Sequence, residues 1–324
     1  MVNVRTDLAI EANKIYKENN NKDADGISVT EQKVDESTVT WVKVLNEDGA
    51  KKINKPMGNY ITIDIPEFTV YDGELMDVVS KTLGVTLKNF MNITENDSVL
   101  VVGLGNIHVT PDALGPKTCE KIMVTRHLKE VMPEYLEQGI TISSAISPGV
   151  LGITGIETVE IIESLVKRIN PTVVICIDAL ASRSTKRVNK TIQISDTGIV
   201  PGAGVNNKRK EISEKSLGAK VISIGVPTVV HASTIASDTI DVVLDELIKQ
   251  SKQGQEFYNM LKKLDKEEKD RLIHELLSPT PFDMIVTPKE IDISIECLSK
   301  IIANGINIAV QPKLKLEDIN KFLN

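Results

Sequence analysis

Aromatic residues are scarce in this 324-residue chain: Phe, Trp and Tyr together make up 3%, with a single Trp. Its core must therefore be aliphatic, built from Ile, Val, Leu and Ala. A basic excess is missing too. Against 38 Lys and Arg stand 45 Asp and Glu, a formal net charge of −7 and a pI near 5.3. That balance argues against a grip on nucleic-acid backbones, which needs clustered cations. Cysteine is sparse: Cys119, Cys176 and Cys297 form no Cys-x-x-Cys pair, so neither a disulfide framework nor a zinc ribbon is supported. Cys176 lies inside the apolar run Val173–Ile177 and reads as a small hydrophobe. His108, His127, His231 and His274 lack metal-site spacing. Of these, His231 follows a buried run and is in place to reach a sheet edge, with a satisfied buried histidine as the plainer reading. No run approaches the ~20 apolar residues of a membrane-spanning helix. The opening residues are polar and include acids, unlike a signal peptide. These absences lead to the expectation of a cytoplasmic protein that binds neither membrane nor nucleic acid directly.

What is present is the grammar of a globular α/β protein, with 41% hydrophobic and 26% charged residues. At ~150 residues per domain the length allows about two domains, or one with an added layer. Residues 8 to about 20 have the spacing of a short amphipathic helix. Over about 26–70 the period changes to two, with Val39–Val44 and Tyr60–Ile65 as strands and Asp48-Gly49 as a turn signal between them. This predicts an added antiparallel strand layer. Helix-spaced Leu75, Val78, Val79, Leu83 and Leu87 follow. From Ser98 onwards, short apolar runs alternate with helices: strands at Ser98–Leu104, Ile140–Ile146, Thr172–Ile177, Lys190–Ser195 and Val221–Val226, and helices near 115–131, 155–168 and 237–251. Such alternation predicts an α/β fold with a mostly parallel, helix-covered sheet and ligands at the carboxyl ends of its strands. The charged stretch 252–276 reads as a solvated helical excursion.

The chemistry concentrates at strand ends. Val101-Val102 runs into Gly103-Leu104-Gly105-Asn106, then a loop carrying Asp112, then Gly115-Pro116. The glycines allow a sharp turn and close approach. The third glycine of a dinucleotide fingerprint is absent, because position 108 is His. A second acid, Asp178, follows the apolar strand Thr172–Ile177 and is expected to emerge at the same edge as Asp112. Two carboxyls that meet push their pKa values apart, so that one serves as base for water while the other donates to a carbonyl oxygen. The competing reading is that each caps a helix N-terminus, and the residues alone leave both open. Ser195-Asp196-Thr197-Gly198 contains an Asp-Thr-Gly tripeptide but lacks a second copy and a β-rich context, so Asp196 reads as a turn residue. The glycine-rich run 199–207 after it reads as a mobile loop. Ser143, Ser144 and Ser147 lie in no nucleophile elbow.

These pieces together resemble the germination protease, or spore endopeptidase, family of spore-forming bacteria. The matching segments are Val2–Ala12, Gly103–Asn106 through Asp112 to Pro116, Ile177–Arg183, and Ser195–Gly198 with its Pro-Gly-x-Gly loop. The glycine–aspartate element also resembles the hydrogenase-maturation proteases, whose α/β sheet the resemblance implies here. It further implies a self-processing zymogen and homotetramer in the spore core, acting on small acid-soluble spore proteins, with Asp112 and Asp178 as the essential acids of an atypical aspartic-type endopeptidase. No cofactor and no metal are expected.

Family substrates are cut after an acidic residue and before an apolar one, and Asp7-Leu8-Ala9-Ile10-Glu11 repeats that pattern. The implied organisation is a propeptide at 1–7, cut between Asp7 and Leu8, and a peptidase domain at 8–324. An acidic side chain before the cut calls for a cationic partner, and Arg183 and Lys186 are the candidates, with Lys208, Arg209 and Lys210 nearby in sequence. Three other readings stay in view: a nickel-dependent, hydrogenase-maturation-like peptidase, a non-catalytic nucleotide-binding module cradling phosphate at Gly103–Asn106, and a structural spore protein.

Overall fold

A computed structural model describes residues 6–20, 22–67, 69–94, 96–132, 140–202, 209–250 and 284–323. The stretch 252–276, read from sequence as a helical excursion, lies outside the described residues, as do 1–5 and 203–208.

Among the described residues, nine strands form one sheet: β1 (Ile27–Val34), β2 (Ser37–Val44), β3 (Gly58–Asp64), β4 (Ser98–Gly103), β5 (Ile142–Ile146), β6 (Val173–Ser182), β7 (Thr191–Ser195), β8 (Lys220–His231) and β9 (Ile285–Val286). Their order is β1-β2-β3-β7-β8-β6-β4-β5, with β9 paired to the end of β8. Strands β5, β4, β6 and β8 run parallel, and β4 and the first half of β6 have the continuous apolar sequences of buried parallel strands. The rest is antiparallel.

Two expectations are thereby corrected. The sheet is mixed rather than mostly parallel, because β7 enters antiparallel to β8. Nor do the front strands make a separate layer. β3 pairs with β7 from Tyr60↔Ser195 to Asp64↔Thr191, so the meander β1–β3 extends the same sheet edge-on.

Side chains alternate across this sheet. One face presents Ile61, Ile63, Val99, Val101, Ile175, Ile177, Ile192, Ile194, Ile222 and Ile224 to α3 (Gly73–Met91) and the helix Ile291–Val310. Gly84 and Gly305 bring those two helices together, since a Cβ on Gly84 would lie 3.1 Å from the Gly305 carbonyl oxygen. Ile291–Val310 also corrects the sequence reading: by length and composition it is apolar enough to span a membrane, yet 72% of its apolar window is buried inside the fold. The opposite face carries two patches. Leu100, Val102, Val174 and Cys176 meet Val159, Ile162 and Val166 of the helix Thr158–Ile169, whereas Val42, Val44 and Tyr60 meet α1 (Ala9–Asn20).

Local chemistry explains further departures. Asp48-Gly49 is not a turn but part of a short helix, α2 (Glu47–Ile53). Asn46 caps it, its side chain accepting from the Gly49 N–H, and Asn54 closes it in the left-handed region at φ 51°. The helix expected near 115–131 breaks into α4 (Leu114–Cys119) and the turn Leu128–Val131, because the Thr125 and Arg126 N–H groups donate to the Ser143 carbonyl and draw the chain onto β5. Strand β6 does not end at Ile177 but continues to Ser182, held by β8 on its flank.

Helix α4 begins pressed against the sheet. A Cβ at Gly115 would lie 2.3 Å from the Leu104 carbonyl oxygen and 2.6 Å from that of Ile177, distances no side chain tolerates against backbone. Gly115→Ala should therefore lower stability by about 1–3 kcal/mol, seen as a lower urea midpoint at unchanged slope.

Candidate active site

The site lies where β4 ends beside the middle of β6, on the sheet face that carries Cys176. After β4, the Leu104 N–H donates to the Ile177 carbonyl at 2.8 Å and holds the turn against β6. Gly105 then adopts φ +108°, and any Cβ there would stand 2.1 Å from the Asp112 carbonyl oxygen. Glycine is thus required by both conformation and space. The loop closes on itself when the Asn106 N–H donates to Asp112 Oδ2 at 2.7 Å, while Asn106 Oδ1 accepts from the His108 N–H at 3.0 Å. Asp112 sits in the 3-10 turn Thr110–Asp112 and makes no side-chain cap to α4, so the helix-capping reading fails there.

Asp178 fails that reading for a different reason: no helix follows it. It lies within β6 opposite Gly225 of β8, buried at 5% exposure, its Oδ1 accepting from the Ala179 N–H at 2.9 Å. Burial, the charge of Asp112 and the charge of Asp7 push its carboxyl well above the usual carboxylate range. Burial raises Asp112 as well, against the lowering bond from Asn106. Two carboxyls with raised proton affinity thus share one neighbourhood.

Asp112, Asp178, Gly105 and Asp7 line a cleft of about 1260 Å³, together with Lys55 and Gln193. Sequence placed Asp7 in a propeptide. In the fold it is tied to β6, its N–H donating to the Ala181 carbonyl at 3.1 Å and its carboxylate accepting from the Ala181 N–H at 2.9 Å. Burial raises its pKa, while the Ala181 bond, Lys55 and His231 pull the other way. His231 is half-buried at the end of β8 and does not line the cleft. Leu8 is fully buried, and its N–H donates to Thr6 Oγ1 at 3.1 Å.

Other candidates stand elsewhere. Arg183 and Lys186 do not line the cleft. Arg183 Nη1 bonds Asp238 Oδ1 at 3.0 Å, and Lys186 is exposed in the turn Thr185–Arg187. Arg209 does line it, whereas Lys210 pairs with Glu160 at 3.1 Å, and Lys208 lies outside the described residues. Asp196 has the structural role its turn suggested: its two oxygens accept from the Asn59 N–H and Asn59 Nδ2 at 2.8 and 2.7 Å, joining β7 to β3. Among the described residues, no group of three or more His, Cys, Asp or Glu is gathered to hold a metal ion.

Lys55 and Gln193 were not singled out from sequence. Gln193 had a signal, since it occupies the polar side of the alternating strand β7, but that side is buried: Thr191, Gln193 and Ser195 are 1%, 9% and 3% exposed. Lys55 had none, being one lysine among many until α2 and Pro56 place it at the cleft.

A family model described as germination protease matches residues 3–256 and 245–323. A germination protease of Clostridium perfringens (strain ATCC 13124) is 59% identical over 325 residues, covering 100% of both chains. One from Clostridium tetani is 55% identical over 323 residues, again covering 100% of both. One from Priestia megaterium is 43% identical over 359 residues, covering 98% of this chain and 96% of its own.

The buried acid makes a stability prediction of definite sign. A carboxyl whose folded pKa is raised favours the native state when protonated, and that contribution is lost as pH rises through the folded value. Asp178→Asn mimics the protonated group and keeps an acceptor for the Ala179 N–H. The variant should be more stable than the parent at neutral pH. Its advantage should shrink as pH falls towards the unfolded aspartate value of 3.8, which urea melts across pH will reveal.

Proposed function

Because the chain belongs to the germination protease family, and its activity is that of a peptidase, we propose that Asp112 and Asp178 are its catalytic pair and that the bond Asp7–Leu8 is its own first substrate. The observation that carries this is their meeting: a buried carboxyl, Asp178, and a half-buried one, Asp112, both with raised proton affinity, line the cleft in which Asp7 lies. Like charges so close favour one shared proton. The ionised carboxyl takes a proton from water, whose oxygen attacks the scissile carbonyl carbon. The protonated carboxyl donates to the carbonyl oxygen, the C–N bond breaks, and the proton taken from water passes to the leaving nitrogen. Base and acid are properties of the pair and not of either residue.

Gly103, Gly105 and Asn106 shape the site by fixing Asp112. The acid–apolar–Ala pattern at Asp7-Leu8-Ala9 supports substrates cut after an acidic residue and before an apolar one. The family resemblance supports small acid-soluble spore proteins as those substrates, the spore core as the place, and a homotetramer as the working form. Arg183 and Lys186 stand beyond the cleft lining, so their part in reading an acidic residue would require movement of the turn after β6.

Incubating the full-length protein and sequencing its N-terminus over time should give a chain that starts at Leu8; a different start overturns the assigned cut. Asp112→Asn and Asp178→Asn should each slow both self-processing and peptide cleavage by at least roughly 100-fold in chains that still fold. Activity retained in either variant overturns the pair.

A further inference from the structure

The polar groups around the Asp7 carbonyl have no part in the carboxylate mechanism as written, yet they are arranged about the bond assigned as scissile. Lys55 Nζ donates to the Asp7 carbonyl oxygen at 3.0 Å and to that of Thr6 at 2.9 Å. Gln193 Nε2 donates to the same Asp7 oxygen at 3.1 Å, and Gln193 Oε1 accepts from the Ala9 N–H at 2.7 Å. One carbonyl oxygen thus receives two side-chain donors, one of them cationic. The same glutamine grips the backbone on either side of the Asp7–Leu8 bond.

We propose that Lys55 is a further catalytic residue, the cationic half of an oxyanion-binding pair whose other half is Gln193, and that Gln193 also clamps the peptide backbone across the cut. The proposal rests on the reading that Asp7–Leu8 occupies the cleft as substrate.

The chemistry supplies the reason. When water adds to the carbonyl carbon, the C=O π electrons move to oxygen and negative charge grows there. Donors already aimed at that atom stabilise the charge without rearranging. A cation does so more strongly than a neutral amide, and more so in a partly desolvated cleft. As the C–N bond breaks, the pair returns to the carbonyl and the charge on oxygen is discharged. Lys55 keeps its proton throughout.

The fold holds Lys55 for this task. The Lys55 N–H donates to the Ala50 carbonyl at 3.1 Å, Asn54 stands in the left-handed region before it, and Pro56 fixes the chain after it. Burial lowers the pKa of its ammonium, while the facing carboxylates of Asp7 and Glu11 raise it in part. Glu11 is itself anchored, accepting from the Arg183 and Ser184 N–H groups at 2.8 and 3.1 Å. A peptide bound in place of Asp7 would meet the same frame, its acidic side chain taking the Ala181 N–H that Asp7 now holds.

The test compares self-processing of the full-length wild-type, Lys55→Met, Lys55→Arg and Gln193→Leu chains, reading the rate at which chains starting at Leu8 appear. Lys55→Met should slow that rate roughly 100- to 1,000-fold, with Lys55→Arg recovering part of the loss. Gln193→Leu should slow processing less than Lys55→Met. Processing of Lys55→Met within about threefold of wild type, or processing of Lys55→Arg no faster than that of Lys55→Met, overturns the proposal. A wild-type chain that matures at a residue other than Leu8 overturns the reading beneath it, and is seen in the wild type alone.

Discussion

The structure turns on a carboxyl group buried inside a β-strand. Asp178 occupies a position of β6 where the residues before it, Val173–Ile177, are all apolar and 0–1% exposed. An ionised carboxylate is costly in such surroundings, and the group answers by holding its proton more tightly. What surrounds it makes the placement tolerable. The neighbouring strand presents Gly225 opposite it, and beyond Gly225 the register continues through Gln193, Thr62 and Thr40. Cross-strand partners share a face, so a polar row crosses the sheet under the cleft. The apolar core lies on the other side, under α3 and Ile291–Val310.

Asp112 reaches the same cleft by backbone contact instead of side-chain packing. Gly103, Gly105 and Gly115 let three segments touch with almost no space between them, and a Cβ at any of these would strike a carbonyl oxygen at 2.1–2.3 Å. Tight packing of this kind removes freedom from the loop that carries the acid. Preorganisation of that sort is what proton transfer needs. The turn is consequently a positioning device and needs no bound phosphate to account for its glycines.

The N-terminal segment belongs to the site as much as to the chain's beginning. Asp7 pairs with Ala181, Leu8 is buried, Ala9 is held by Gln193, and Glu11 fastens the turn after β6. An acidic residue, an apolar residue and an alanine thereby acquire separate environments, with Asp7 lining the same cleft as Asp112 and Asp178. Arg187 completes this corner by bridging towards Glu11 at 3.9 Å and bonding Asp64 at 2.7 Å.

The sequence by itself determined the α/β grammar, the aliphatic core and most strand positions, and it singled out Asp112 and Asp178 as acids that follow apolar strands, because apolar periodicity and the residues that interrupt it are local properties. Asp7-Leu8 stood out only through its likeness to the cut sites that the family resemblance implies. Pairing between strands distant in sequence was left to the fold: β3 against β7 merged a supposed extra layer into one mixed sheet, and β8 prolonged β6 past Asp178. The same non-local packing buried the polar side of β7 and lifted Lys55 out of a population of surface lysines. Desolvation and proximity are properties of the assembled cleft, and no residue carries them alone. That is why the acids were legible as letters, while their partners Lys55, Gln193 and Ala181 became visible in the tertiary structure.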